Sequence, residues 1–587
     1  MSKTKFSQLA EVFERLEKTA SSLAMIDILA DFFPKISPEE AKISAYLLRG
    51  ELAPAYEDLE IGLADKMVMR AIVKSENIGI EKIKPLFNKT GDLGLVIEKL
   101  KSYETKPRKI ADLTIKEVFE KLIKIAKING EGSQEKKINL LMDLFSKTSG
   151  LEAKYIIRTI LGTLRLGVGE MTFLQGLAKA FGNGKKDKEI LEYAFNVLSD
   201  LGEIAYVVSK SGIKKILEIK PKVGAPIRVM LSNRIQELEE IKDHIASLVS
   251  VEEKYDGERI QAHIKKSGAI SLFSRQQENI THQYPDIIEG LKKTFRGEEA
   301  IIEGEVVAYD EKKEKLLPFQ ILMSRRRKHK IEEYIRKIPV RYFLFDLLYL
   351  DGKNYLKQPL KERREVLDRS FSAKGGKTGV IDFGKYTITD NLSEIESYFS
   401  NSIKAGNEGI MIKDYSGIYQ AGSRGWLWIK FKKEYQKELA DNFDLVVVGG
   451  LYGAGRRAKT YGSLLVAAYD PKTNKYYSFA KVCTGFTDEN LSRLMKMFNK
   501  YKLKEKHKSV ETGMKSDVWF EPKIVMEISG AEITVSPIHT VAKDKVKTGG
   551  LALRFPKFLR WRTDKSAENA TTVKEIYELY KAGKKNA

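Results

Sequence analysis

A single cysteine, Cys483, in 587 residues leaves no internal disulfide and no zinc module built on two or more cysteines. Histidine is also scarce, with 6 in all and none at H-x-x-x-H spacing, so any metal must be held by carboxylates. No apolar run approaches the ~18 residues of a membrane-spanning helix. The opening MSKTKFSQLAEVFERLEKTA is polar and helical at once, without the apolar core and cleavage site of a secretory signal. A cytoplasmic protein is expected, with no membrane partner. What the chain has in excess is positive charge: 102 Lys plus Arg against 80 Asp plus Glu leave +22 and a pI near 9.4. Such a surplus attracts polyanions, which makes nucleic acid or an acidic surface the leading partner. A 42% hydrophobic and 31% charged composition is globular, and 587 residues exceed what one core accommodates, so about three domains are expected.

From Phe6 to about residue 215 the apolar residues recur at helical spacing, as in Phe6, Leu9, Ala10, Phe13 and Leu16. Ser37-Pro38-Glu39-Glu40 reads as N-cap, first-turn proline and capping-box glutamate, and Thr114 with Glu117 repeats the box. Two helical sub-bundles are expected, joined by the polar stretch 102–109. Further on, Arg165-Leu166-Gly167-Val168-Gly169-Glu170 breaks a helix with two glycines beside an arginine. The free N–H groups of such a turn suit phosphates, and a plain helical hairpin is an equally good reading. After Pro221 the pattern changes to short runs at 259–264, 300–309 and 340–350, rich in β-branched and aromatic residues and bounded by Asp-Gly or Glu-Gly turns. These predict a mixed α/β domain. The polar stretch 434–442 then leads into runs at 444–448, 463–469, 476–482 and 523–528, which predict a small barrel.

The chemistry centres on Lys254-Tyr255-Asp256-Gly257-Glu258-Arg259. A lysine beside an Asp-Gly turn is by itself usually a solvated hairpin end. Here it is followed in order by Ser274-Arg275, Glu303-Gly304-Glu305, Phe345-Asp346-Leu347-Leu348-Tyr349-Leu350-Asp351-Gly352, Glu408-Gly409-Ile410-Met411-Ile412-Lys413, Trp428-Ile429-Lys430-Phe431-Lys432-Lys433 and Leu553-Arg554-Phe555-Pro556-Lys557-Phe558. Covalent nucleotidyl transfer needs an amine that is neutral when it attacks an α-phosphate, whereas a free lysine titrates near ~10.4. Neighbouring cations, here Lys430, Lys432 and a Mg²⁺ ion, disfavour the ammonium form and also neutralise the phosphates.

This ordered set resembles the nucleotidyltransferase motifs of ATP-dependent DNA ligases of the archaeal and eukaryotic replicative type, over nearly the whole chain. The resemblance implies a multidomain fold: an all-α DNA-binding domain (1–217), an α/β nucleotidyltransferase or adenylation domain (218–434) and a β-barrel OB-fold domain (435–587). It implies sealing of nicks in double-stranded DNA, in replication, repair and recombination, through a lysyl-AMP formed on Lys254. Glu252 would accept a hydrogen bond from the adenine amine and Phe345 would stack on the purine. Arg259 and Arg275 would hold ribose and phosphate, and Arg424 a phosphate. Glu305 would bind the ribose or a metal, and Glu408 is the Mg²⁺ carboxylate, with Mn²⁺ as the alternative ion. Arg554 and Lys557 would orient the leaving pyrophosphate, with 434–442 as the hinge that brings them in. For each acidic residue, a surface carboxylate paired to this basic chain is the plain alternative.

A monomer is expected. Between Leu100 and Leu113 the chain reads Lys101-Ser102-Tyr103-Glu104-Thr105-Lys106-Pro107, with no Gln-to-Phe-Phe box for a sliding clamp. Leu29 with Phe32-Phe33 is a partial copy that reads as helix core. The basic run 324–330 reads as a solvated face, with a phosphate rail or localisation signal as the alternative. Gly449 to Gly455 reads as a turn between strands, because no helix pattern follows. Two other functions share these features: an mRNA-capping guanylyltransferase or RNA ligase, which has the same lysine motif, and a noncatalytic duplex-binding protein in which that motif is inert.

Overall fold

The fold is described from a computed structural model, over residues 3–103, 110–182, 185–245, 247–325, 331–372, 379–432, 442–453, 460–546 and 549–585. Several sequence-based expectations fall outside these residues: most of the polar stretch 102–109, residues 326–330 of the basic run, the hinge stretch up to residue 441 with Lys433, and residues 454–459 of the glycine-rich turn. Contacts divide the chain into two compact units, Met1–Arg234 with Ile241–Lys430, and Ile235–Glu240 with Phe431–Ala587.

The first unit begins with a run of helices from Phe6–Glu17 to Ile213–Ile216. Both capping boxes form: Ser37 with Glu40 opens Pro38–Leu48, and Thr114 with Glu117 opens Ile115–Lys127. A third, Ser149 with Glu152, opens Gly150–Ile160. Each box satisfies two otherwise orphaned N–H groups and so sets where the helix begins. The apolar stripes close one core that includes Phe6, Leu9, Phe13, Leu29, Phe32 and Phe33. The partial clamp-box residues are therefore core, as the helical spacing predicted. Among the described residues no helix is long and apolar enough to cross a membrane.

Among the described residues the chain continues in twelve strands, the last of which runs two residues past the first unit's end: β1 (Leu231–Arg234), β2 (Val249–Lys254), β3 (Glu258–Ile264), β4 (Ile270–Ser274), β5 (Ala300–Asp310), β6 (Lys315–Leu316), β7 (Val340–Leu350), β8 (Lys353–Asn354), β9 (Ile381–Phe383), β10 (Tyr386–Thr389), β11 (Gly409–Asp414) and β12 (Arg424–Lys432). One sheet runs β1-β12-β11-β2-β10; the other runs β4-β3-β5-β7-β8, with β6 on β5 and β9 on β7. The chain passes from the first sheet to the second at Tyr255-Asp256-Gly257, between β2 and β3. Gly257 is required there, because a Cβ would come within 2.4 Å of the Val306 carbonyl oxygen. Isoleucine and alanine at positions 260, 262 and 264 of β3 enter the core of the second sheet, leaving Arg259, Gln261 and His263 on its other face.

The second unit is β-rich. Phe443–Tyr452 pairs antiparallel with Tyr461–Asp470, which pairs with Lys475–Val482. On its other edge Phe443–Tyr452 takes Val518–Phe520 and Val525–Ser529, and the latter takes Lys557–Trp561. One strand serving three partners bends the sheet around a single core of Phe443, Leu464, Phe479, Phe520 and Ile528, consistent with an OB-fold. Gly449 and Gly450 lie within the first of these strands, at a register shift, and not in a loop.

Candidate active site

Lys254 ends β2, and its Nζ lies 2.7 Å from Glu408 Oε2. The two are also joined through the main chain, where the Glu408 N–H donates to the Lys254 carbonyl at 3.0 Å as β11 pairs with β2. Lys254 and Glu408 are far apart in sequence, yet the ladder fixes them side by side. Glu305 on β5 pairs directly with Arg259 on β3. Burial pushes the Glu305 carboxyl up to about 7, against the pull of Lys254 and Arg259 and with Glu408 and Glu258 adding to the rise. Burial raises Asp256 too, opposed by the Phe319 N–H and reinforced by Glu408. A lysine is thus ringed by carboxylates that the fold crowds together.

These donors fit Mg²⁺. Among the described residues no three His, Cys, Asp or Glu side chains converge to cage an ion by themselves. Magnesium is ordinarily held by one or two carboxylates, with water and substrate phosphate completing its shell, and Glu305 with Glu408 supplies that number.

Phe345 reaches the site through a β-bulge. In the pairing of β5 with β7, Glu303 faces Asp346 and Gly304 faces Leu344, so Phe345 is the extra residue. Such a bulge re-aims a side chain without ending the sheet. The Phe345 ring stands edge-on to Trp428, with the Lys413 ammonium 4.5 Å and the Arg259 guanidinium 5.4 Å from its centroid. Arg259 donates to Glu303 Oε2 at 2.6 Å and to the Met230 carbonyl at 2.8 Å. Its buried Nε has no hydrogen-bond partner among the described residues, which leaves a donor for a bound group.

Glu252 is buried, and its carboxylate meets Lys413 Nζ at 2.7 Å, the Arg364 guanidinium, and Ser250 Oγ at 3.1 Å. Burial opposes ionisation, but the Arg364 and Lys413 cations outweigh it and hold the carboxyl below the usual carboxylate range. Glu252 is therefore an acceptor only, the form that reads an amino group. Behind Phe345, Asp346 is locked to Arg363 by two hydrogen bonds at 2.7 and 3.1 Å, with neither side chain exposed.

The structure thus brings together Lys254, Glu305, Glu408, Arg259, Phe345 and Glu252. It does not draw in every residue named from sequence. Arg275, just after β4, is exposed. Arg424 at the start of β12 is exposed and donates to the Ser232 carbonyl at 3.4 Å. Lys430 and Lys432 lie half-buried at alternate positions on β12, sharing a face. Arg325 departs from the solvated face expected of the basic run: it is 2% exposed and donates to Asp286 at 2.7 Å. A counter-ion inside the fold captured it, and nothing local in a charge run reports that. Glu303, Arg363, Arg364, Lys413 and Tyr419 were given no role from sequence. Glu303 and Lys413 stood inside recognised motifs, whereas adjacent arginines in the helix Leu360–Ser370 carry no signal of their own.

Residues 229–432 match the family described as ATP dependent DNA ligase domain, residues 5–178 match DNA ligase N terminus, and residues 457–565 match ATP dependent DNA ligase C terminal region. The chain is 43% identical to DNA ligase 2 of Thermofilum pendens, over 99% of this chain and 98% of that one. It is 44% identical to DNA ligase of Staphylothermus marinus, over 98% of each chain. A solved structure named Pmar-Lig_Pre. shares the fold at a TM-score of 0.54 with 16% identity, covering 94% of this chain and 99% of that one. The chain belongs to the ATP-dependent DNA ligases.

Proposed function

We propose that this chain seals nicks in duplex DNA by three displacements at phosphorus, with Lys254 as the nucleophile of the first. The observation that carries the reading is Lys254 Nζ held 2.7 Å from Glu408 beside the buried carboxyl of Glu305, within the span that matches the ligase domain. In the first step the Lys254 amine gives up a proton and attacks the α-phosphorus of ATP; the new P–N bond replaces the bond to pyrophosphate. In the second a 5′-phosphate oxygen at the nick attacks the same phosphorus and the P–N bond breaks. In the third the 3′-hydroxyl attacks the 5′-phosphorus, and AMP leaves.

Each residue has a task its geometry supports. Glu408 is an acceptor at hydrogen-bond distance for the Lys254 proton. Glu305 and Glu408 would hold Mg²⁺, which when bound supplies charge that lowers the lysine's hold on its proton and neutralises phosphate. Arg259 would hold ribose or phosphate, with its unpartnered Nε as the free donor. Phe345 offers a face for the purine, a contact of about 1–3 kcal/mol. Glu252, kept ionised, would accept from the adenine amine and disfavour the guanine carbonyl. Arg275, Arg424, Lys430 and Lys432 are assigned to phosphate on their resemblance to the family's motifs.

We read the chain as three working parts, 1–217 on DNA, 218–434 on ATP chemistry and 435–587 as the OB-fold. The +22 charge supports a DNA contact made through phosphates, without base readout, since a nick can occur at any sequence. The test is a denaturing gel after incubation with α-labelled ATP and Mg²⁺, followed by a nicked duplex. Labelled protein that loses its label to the nick supports the reading. Label taken from GTP in preference to ATP would instead support a capping-type enzyme, and no covalent label would support a noncatalytic binder.

A further inference from the structure

Beyond Arg259, the polar face of β3 is fully buried and lies outside the catalytic cluster. Gln261 is 2% exposed, while His263 and Glu303, the β5 partner of Gln261, are 0% exposed. Buried polar groups persist only when bonded, and here Arg259, Gln261 and His263 each find a partner on one segment, residues 224–230, just before β1. The Gly224 N–H donates to His263 Nδ1 at 2.9 Å. The Ile227 N–H donates to Gln261 Oε1 at 2.7 Å, and Gln261 Nε2 returns a bond to the Ile227 carbonyl at 3.1 Å. Arg259 Nη1 donates to the Met230 carbonyl at 2.8 Å. Every third residue of the segment thus meets every second residue of the strand, in opposite chain directions. Gly224 sits at φ +101°, a conformation closed to other residues, and this directs its N–H at the imidazole.

The rungs are joined sideways. With Nδ1 accepting, His263 Nε2 carries the proton and donates to Gln261 Oε1 at 2.9 Å. Gln261 Nε2 reaches Glu303 Oε1 at 3.2 Å, and Glu303 Oε2 accepts from Arg259 at 2.6 Å and from the Tyr419 hydroxyl at 2.9 Å. Between the rungs, Arg228 faces the helical region. Its N–H donates to the Asn196 carbonyl at 2.8 Å, its Nη2 to Glu170 at 2.7 Å, and its guanidinium lies 4.1 Å from the Phe195 ring centroid. Glu170 opens the helix after the Leu-Gly-Val-Gly turn.

We propose that Gln261 and His263 are positioning residues for the nucleotide step: they seat residues 224–230 along β3 and so hold Arg259, which the segment ties through Arg228 to the helical region. The inference rests on the reading of Arg259 as a nucleotide contact. Without the Gln261 amide, Ile227 and Glu303 each lose a partner and the Arg259 guanidinium loses its neighbour on the strand.

The test uses the full chain and measures KM for ATP and kcat in lysyl-AMP formation for Arg259→Gln, Gln261→Met and the double variant. Gln261→Met should raise KM about tenfold, the equivalent of one charge-assisted hydrogen bond, with kcat within about threefold. Its effect on top of Arg259→Gln should be much smaller than alone, because both act through one group. His263→Phe should follow Gln261→Met, whereas His263→Asn, which keeps an acceptor for the Gly224 N–H, should stay near wild type. A role in stability alone lowers the unfolding temperature and leaves KM in place. If Arg259→Gln raises KM while Gln261→Met does not, or the effects add fully, the positioning role is overturned. If Arg259→Gln leaves KM unchanged, the nucleotide reading of Arg259 falls and the inference with it. Should His263→Phe not fold, Gln261→Met and His263→Asn still decide.

Discussion

Replacing Arg363 with methionine removes the charge that holds β7 at Asp346, next to Phe345. Arg363 and Asp346 are both 0% exposed, and Arg363 also donates from Nη1 to the carbonyls of Gln358 at 2.7 Å and Gly417 at 3.1 Å. Methionine fills much of the volume but has no donor, so among the described residues Asp346 keeps only the Leu347 N–H at 2.9 Å as a direct hydrogen-bond partner. Breaking a buried pair from one side costs about 3–5 kcal/mol, because a charge is left without its counter-ion. At about 2–4 °C per kcal/mol, the thermal midpoint should fall by about 10 °C near pH 7. The pH dependence is specific. In the wild type, burial opposes ionisation of Asp346, but Arg363 outweighs it and holds the carboxyl below the usual range. The pair's contribution is therefore present above the unfolded value near ~3.9 and is lost as pH falls through the folded value. In Arg363→Met the burial acts with far less opposition, so the Asp346 pKa rises and the variant's deficit grows as pH climbs above about 4. Calorimetry at pH 5 and pH 7.5 should show the deficit shrinking by about half or more at the lower pH. Arg363→Met with Asp346→Leu should recover most of the loss. A midpoint within about 2 °C of wild type at both pH values, or a double variant no better than the single, would refute this argument.

Three further outcomes follow from the same geometry. Lys254→Ala should abolish labelled protein while leaving nick binding intact, since no other atom at the end of β2 can form the phosphoramidate; label mapping to another lysine would count against it. Glu408→Gln should cut lysyl-AMP formation by about 100-fold or more, in single-turnover labelling at saturating ATP, by replacing the carboxylate 2.7 Å from Nζ with an amide that cannot take up its proton; a rate within about threefold would remove Glu408 from the step. Burial, aided by Lys265, pushes His263 down to about 3. Its contribution to stability is thus present above the unfolded value near ~6.5 and lost as pH falls from there towards 3, at up to about 1.4 kcal/mol per unit. Denaturant unfolding of His263→Asn between pH 4 and 7 should show a shallower acid loss than wild type, and parallel curves would contradict it.

The helices of the first region, their starts at Ser37 and Thr114, and the runs that became β3, β5 and β7 were legible in the chain. Capping boxes, apolar spacing and Asp-Gly turns act over a few residues, so the information is local. Lys254 was legible for a similar reason: its motif is contiguous, and the company it keeps has a fixed order. Periodicity and motif order carried the class of fold and the sequence of its parts, and singled out Lys254 as the proposed nucleophile. Tertiary structure alone decided the rest. Nothing near Arg325 announces Asp286, and nothing near Glu252 announces Arg364 more than a hundred residues on. The bulge that re-aims Phe345 is a mismatch between two strands and belongs to neither. The rungs from residues 224–230 to β3 pair a three-residue spacing with a two-residue one, a match that exists only once the two segments lie side by side. Burial and ion pairing depend on which distant groups converge, and that convergence is a property of the folded chain and not of any window along it.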